Sequence, residues 1–174
     1  SPELHTKNCQ YMRVTGIWQT VWIEAVGATY IRDWTLTTDT DTETRTGTVR
    51  LVAQLDGPAN NLRMSAIVTR QDGPRITEQC QARNGTIELT IRVAGPALWT
   101  PEHPALYDLC LRLEESGGRV VDEVLTYFGF RRIETRDGQY LLNGRPFFWI
   151  SALDQGYYPD GLYTPPSDAA QRMD

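Results

Sequence analysis

The sequence predicts an all-β sandwich, and three observations predict it. Between about residue 30 and residue 127, seven short runs alternate apolar and polar residues or are rich in β-branched ones. Turn signals recur roughly every 8 to 15 residues, and no window carries a helical period. An apolar strand face has to be covered, and two facing sheets about 10 Å apart cover each other. At 174 residues the chain has room for one well-buried domain plus extra segments. It falls short of a barrel enzyme of roughly 250 residues.

Ahead of the sandwich, Gly16-Ile17-Trp18-Gln19-Thr20-Val21-Trp22-Ile23-Glu24-Ala25-Val26 reads as a strand, with Trp18 and Trp22 on one face and Ile17, Val21 and Ile23 on the other. The next run covers residues 30–37 and gives way to Thr38-Asp39-Thr40-Asp41-Thr42-Glu43, read as a solvated turn. Its carboxylates alternate, but the glycine and closing glutamate of a calcium-binding loop are missing. In residues 48–55, Val49, Leu51, Ala53 and Leu55 share a face, and Asp56-Gly57-Pro58 stops the run. Leu62, Met64, Ala66 and Val68 define the next face, which Asp72-Gly73-Pro74 ends. A weaker strand covers residues 75–81. Asn84-Gly85 separates it from residues 86–93, where Ile87, Leu89, Ile91 and Val93 point one way.

After a proline-rich loop over residues 95–104, two longer strands are predicted at residues 106–114 and 119–127, joined at Ser116-Gly117-Gly118. The second is two-sided: Val121, Glu123, Leu125 and Tyr127 oppose Val120, Asp122, Val124 and Thr126, so either face can be the core face. Beyond residue 131, Asp137-Gly138 and Asn143-Gly144 bracket a predicted hairpin of residues 140–142 against 146–150. The rest is rich in Tyr, Pro, Asp and Gly. Ser167 is placed to cap a short helical start at Asp168-Ala169-Ala170.

Composition removes several functions. The formal net charge is -5, and the arginines are scattered among acids without a basic stripe, which disfavours nucleic acid. No stretch approaches the roughly 18 apolar residues of a membrane span, and the opening Ser1-Pro2-Glu3-Leu4-His5 has no signal-peptide core. The cysteines Cys9, Cys80 and Cys110 form no CxxC pair, and the histidines are His5 and His103 alone, so no zinc or thiol-redox site and no cofactor is expected. A Cys80–Cys110 bridge stays open.

The acids offer no persuasive catalytic pair. Glu114-Glu115 precedes a glycine turn and reads as a solvated hairpin end, while Asp122 and Glu123, adjacent on a strand, face opposite sides. His103, between Glu102 and Pro104, reads as a turn residue. Trp18, Trp22, Trp34, Trp99 and Trp149 suit core or interdomain packing better than sugar stacking, with Trp99 as a loop plug.

Three stretches, in order, resemble glycoside hydrolase family 2, the family of β-galactosidase, β-glucuronidase and β-mannosidase-like enzymes. The first is residues 16–24. The second is Leu98-Trp99-Thr100-Pro101-Glu102-His103-Pro104-Ala105-Leu106-Tyr107-Asp108-Leu109. The third is Phe128-Gly129-Phe130-Arg131-Arg132-Ile133-Glu134, followed by Leu142-Asn143-Gly144-Arg145-Pro146-Phe147-Phe148. The resemblance implies a remnant of the N-terminal sugar-binding domain in residues 1–28, an immunoglobulin-like sandwich in 29–129 and the start of the catalytic barrel in 130–174. Where members commonly carry Arg-Gly after the first barrel strand, this chain has Ile150-Ser151. Residues 153–161 resemble a branch other than the Asn-Arg-His type of the familiar β-galactosidases.

The resemblance also implies that the catalytic glutamates lie beyond this lead-in, so the chain is expected to be a non-catalytic interdomain scaffold of a retaining glycoside hydrolase. Its expected partners are that enzyme's sugar-binding domain and barrel, with carbohydrate met only through the intact enzyme. In that enzyme Asp154 is placed to hydrogen-bond sugar hydroxyls, and Tyr157 and Tyr158 to offer aromatic faces. Exposed interdomain surfaces can also pair two copies into a dimer. The alternative is a stand-alone carbohydrate-binding or adhesion module, which requires exposed aromatics on one strand face or loop rim.

Overall fold

Alternating apolar residues become strands here because each run finds a partner in register. The computed structural model describes residues 15–17, 19–41, 43–70, 73–153, 158–159 and 161–173. The chain forms two units, Ala25–Phe148 and a second made of Ser1–Glu24 with Trp149–Asp174.

In the first unit, β1 (Tyr30–Asp41), β2 (Thr46–Asp56) and β5 (Thr86–Ala94) form a sheet in the order β1-β2-β5. Facing it, β3 (Leu62–Thr69), β4 (Ile76–Gln81), β6 (Tyr107–Glu115) and β7 (Val120–Phe128) form a second sheet in the order β4-β3-β6-β7. All neighbours are antiparallel, and the unit is an all-β, immunoglobulin-like sandwich. Register brings like faces together: Leu51 sits opposite Leu89 and Val49 opposite Ile91, while in the other sheet Met64 opposes Leu113 and Ala66 opposes Leu111. All eight are buried, so the alternation read from the sequence is the core face.

The ring cluster closes one end. Tyr107 stacks on Phe128 with centroids 5.3 Å apart, and Phe130 meets both edge-on at 5.3 and 5.4 Å. Edge-to-face contacts suit the ring quadrupoles, and the buried Phe130 ring lies directly over Gly47.

Several expectations change. Residues 38–41 belong to β1 and not to a turn: Thr40 pairs with Gly47 and is buried. β-branched threonines on the inner face sustain the strand. Asp41 Oδ1 accepts the N–H groups of Glu43 and Thr44 at 2.8 and 3.0 Å, which lets the connection close quickly. The predicted strand over residues 16–26 does not form among the described residues, where Ile23 is 98% exposed. Its backbone has no ladder partner there, and a lone strand is not stable in water.

The predicted hairpin gains a third strand: β8 (Ile133–Arg136), β9 (Gln139–Leu142) and β10 (Arg145–Pro146) lie in the order β10-β9-β8. Asp137-Gly138 and Asn143-Gly144 both hold positive φ at their two positions, so each makes a two-residue turn between paired strands. β10 is shorter than expected. Pro146 has no N–H for the ladder, and one further bond, Phe147 N–H to the Tyr140 carbonyl at 2.8 Å, ends the pairing.

Pairing also settles the two-sided strand. Leu113, Leu111 and Leu109 oppose Asp122, Val124 and Thr126, so those residues face inward and Leu125 and Tyr127 face solvent. Cys80 opposes Met64 and Cys110 opposes Ile67, on opposite faces of one sheet, and both thiols are free.

In the second unit, α1 (Asp168–Met173) begins as the sequence suggests, with the Ala170 N–H donating to Ser167 Oγ at 3.2 Å. No helix among the described residues is long and apolar enough to cross a membrane.

Candidate functional site

Of the three residues assigned to sugar binding, Asp154 and Tyr157 lie outside the described residues. Tyr158 is half-buried and forms a tight bridge with Leu162, through backbone bonds of 2.7 and 3.0 Å. Leu162 holds a φ of 55° at the far side of this bridge.

Glu114, Glu115, Asp122 and Glu123 are each engaged. Glu114 Oε2 accepts from Ser65 Oγ at 2.8 Å and from the Arg63 guanidinium at 3.5 Å, and Gln79 Nε2 donates to Ser65 Oγ at 2.9 Å. Glu115 pairs with Arg119, which holds its carboxyl below the ordinary value. Glu123 takes the Nε and NH2 groups of Arg112 at 2.8 and 2.7 Å, and that hydrogen bonding lowers its carboxyl as well. Asp122 faces the other way and accepts the Ile31 N–H at 2.7 Å. A general acid for glycoside cleavage needs a carboxyl held protonated near neutrality, with a second carboxylate roughly 5 to 9.5 Å away. Arginine pairing pushes Glu115 and Glu123 in the opposite direction. No group of three or more His, Cys, Asp or Glu among the described residues can hold a metal ion.

The loop before β6 and the passage after β7 are stitched together. Arg131 lies over the Trp99 ring at 5.2 Å, the Trp99 N–H donates to the Phe130 carbonyl at 2.8 Å, and Leu98 bridges Phe130 in parallel. Asn143, from the β9–β10 turn, joins both segments. Its Nδ2 donates to the Trp99 carbonyl at 3.0 Å and its Oδ1 accepts the Arg132 N–H at 2.9 Å. Trp99 is therefore the loop plug that the sequence suggests, with Arg131 over its ring. The structural role of Asn143 was missed, because the Asn-Gly signal announces only a turn. His103 occupies a backbone turn with Thr100, through bonds of 3.0 and 3.2 Å.

Clefts open on this unit among the described residues, and three of them are large enough to compare. One of about 640 Å³ lies at the sandwich end between Gly27–Thr29, the β2–β3 loop and the β6–β7 hairpin. One of about 350 Å³ lies on the outer face of the four-stranded sheet around Arg75, Cys110 and Leu125. The third, about 310 Å³, is bounded by Leu36, Trp99, Leu106 and Arg131. None of the three is lined by a pair of carboxylates.

The sequence profile of glycosyl hydrolases family 2 matches residues 29–131. The chain belongs to that family. Among family 2 relatives, the beta-galactosidase of Leuconostoc mesenteroides subsp. mesenteroides is 30% identical over 166 residues, covering 85% of this chain and 16% of the relative. The beta-galactosidase of Streptococcus thermophilus is 28% identical over 137 residues, covering 78% of this chain and 13% of the relative. The chain thus spans about one-sixth or less of the length of these curated relatives. In fold it is similar to the Bifidobacterium dentium beta-glucuronidase solved with coumarin-3-O-glucuronide, with a TM-score of 0.71 at 18% identity, covering 83% of this chain and 25% of that one.

Proposed function

We propose that this chain is the sandwich connector of a retaining family 2 glycosidase and performs no hydrolysis itself. The observation that carries the reading is the engagement of Glu114, Glu115, Asp122 and Glu123 in arginine pairs, a serine network and a backbone bond, within the segment that matches the family. These acids maintain a scaffold. In this reading residues 1–28 come from the preceding sugar-binding domain, 29–129 are the connector, and 130–174 lead into the barrel that hydrolyses O-glycosyl bonds in carbohydrate metabolism.

The Trp99–Arg131–Asn143 stitch supports the connecting role, because it fixes the direction in which the chain leaves the sandwich. Asp154, Tyr157 and Tyr158 are assigned to substrate contact in the intact enzyme, where the first barrel strand brings them to the active-site mouth. The stand-alone sugar-binding reading needs an aromatic platform; Trp34 packs against the core and Arg131 lies over Trp99, while Tyr127, exposed on the outer face of β7, stands opposite Asp108 and two residues from Leu125 without a second aromatic ring on that strand face.

The test is enzymatic and calorimetric. The purified chain is offered aryl β-galactosides, β-glucuronides and β-mannosides, then titrated with the corresponding saccharides. No aglycone release and no binding are expected. Turnover abolished by Glu114→Gln or Glu123→Gln, or a saccharide held with micromolar affinity, overturns the connector reading.

A further inference from the structure

We propose that Asn84 is a site of spontaneous covalent modification, converting to aspartate and isoaspartate through a cyclic imide, whereas Asn143, in the same dipeptide, is protected by the fold. In an Asn-Gly pair the glycine nitrogen can reach the preceding side-chain amide, because no Cβ shields it. The new bond from that nitrogen to Cγ closes a five-membered imide. The Cγ–Nδ2 bond breaks, and ammonia leaves carrying the proton of the glycine N–H. Water then opens the ring at either carbonyl, giving aspartate or isoaspartate, and in the latter the side-chain methylene joins the main chain. Water is the one co-reactant, and nothing is oxidised or reduced.

The sequence holds two Asn-Gly pairs, and their backbones are alike. Asn84 and Gly85 have φ of 50° and 74°, Asn143 and Gly144 of 53° and 78°. Each pair closes a two-residue turn, one across the Arg83–Thr86 bridge and the other between β9 and β10. Local sequence and backbone therefore predict equal reactivity, and the side chains make the difference. Asn143 is half-buried and held at both ends of its amide, Nδ2 on the Trp99 carbonyl at 3.0 Å and Oδ1 on the Arg132 N–H at 2.9 Å. Swinging its Cγ toward the Gly144 nitrogen breaks both bonds. Asn84 is exposed and makes no side-chain hydrogen bond among the described residues, so its Cγ turns freely. Two bonds to break make Asn143 slower by at least about tenfold.

The product also has a structural consequence. The Gly85 carbonyl accepts the N–H of the buried Leu55 at 2.8 Å, and Arg83 and Thr86 exchange backbone bonds of 2.8 and 2.9 Å around the pair. Isoaspartate at position 84 lengthens the main chain inside that turn and draws the carbonyl away from Leu55.

Incubation of the purified chain in mildly alkaline buffer, folded and in urea, followed by cleavage at arginine and mass spectrometry, tests this. Residues 84–92 carry one site and the peptide that starts at Asp137 carries the other. In the folded chain Asn84 should gain the mass of an amide-to-acid change at least about tenfold faster than Asn143, and urea should bring the two rates together. Asn84→Gln should abolish the change in its peptide. In the isoaspartyl form, separated by chromatography, amide exchange at Leu55 should be faster than in the parent. Equal rates in the folded chain, reaction at Asn143 first, no reaction at Asn84 while both react in urea, or a difference that persists in urea overturns the proposal. Unchanged exchange at Leu55 in the isoaspartyl form overturns the consequence drawn for the turn.

Discussion

Asp122 on β7 accepts the backbone N–H of Ile31 on β1 at 2.7 Å, so a single carboxylate ties the edge of one sheet to the edge of the other. Ile31 is 8% exposed, and its N–H has little access to water once the carboxylate is gone. Asp122→Ala should therefore cost about 1–3 kcal/mol in urea unfolding, and Asp122→Asn, which keeps an acceptor oxygen, distinctly less. An alanine variant as stable as the parent would remove this bond from the account of how the sheets are held.

Gly47 carries a second dependence. A Cβ there would stand 2.6 Å from Phe130 Cε1 and 2.7 Å from Cζ, and the ring is locked by Tyr107 and Phe128. Gly47→Ala should destabilise by roughly 1–3 kcal/mol through overpacking. Combining it with Phe130→Leu should cost less than the sum of the two single changes, because the smaller side chain frees the space. Chemical denaturation of the full cycle measures that coupling.

The Trp99–Asn143 stitch predicts a local effect. Asn143→Ala removes both side-chain bonds and places alanine at φ 53°, while Asn143→Gly removes the bonds and relieves the backbone. Both variants should speed amide exchange at Arg132, whose N–H donates to Asn143 Oδ1. The alanine variant should be the less stable by roughly 1 kcal/mol. Unchanged exchange at Arg132 in both would mean that the bond contributes nothing to the exit path.

Stability should fall on the acid side. Hydrogen bonds from Arg112 and Arg119 lower the folded-state values of Glu123 and Glu115, and backbone N–H groups of the β1–β2 turn, Thr44 first, lower Asp41. A depressed carboxyl stabilises above its unfolded value, near 4.5 for the two glutamates, and loses that contribution as pH falls through the folded value. The three groups are exposed and the effect is small and salt-screened. Thermal melts from pH 6 down to about pH 3 should show a decline that Glu123→Gln and Glu115→Gln make shallower.

The core was legible in the sequence because it follows from a period of two. Val49, Leu51, Ala53 and Leu55, or Ile87, Leu89, Ile91 and Val93, alternate so cleanly that no other face can be buried, and all eight are. β7 was not legible, since apolar residues stand on both of its sides; only the pairing of Leu111 with Val124 decides which faces inward. Thr38 and Thr40 misled for a related reason: threonine suits a turn and a strand alike, and the partner strand makes the choice. The candidate site was less legible than the fold. Glu114 and Glu115 read as a solvated pair, yet Glu114 is drawn into the Ser65 network by the β3–β6 register.

By itself the sequence determined the all-β class, the strand count of the sandwich, its inner faces and the order of family 2 motifs, because these depend on neighbours along the chain. Tertiary structure alone decided the outward turn of Leu125 and Tyr127, the separation of Cys80 from Cys110, the bond from Asp122 to Ile31, and the stitch that Asn143 makes to Trp99. The last two join residues 91 and 44 positions apart. Contacts at that distance follow from register and sheet facing, quantities that local alternation does not encode.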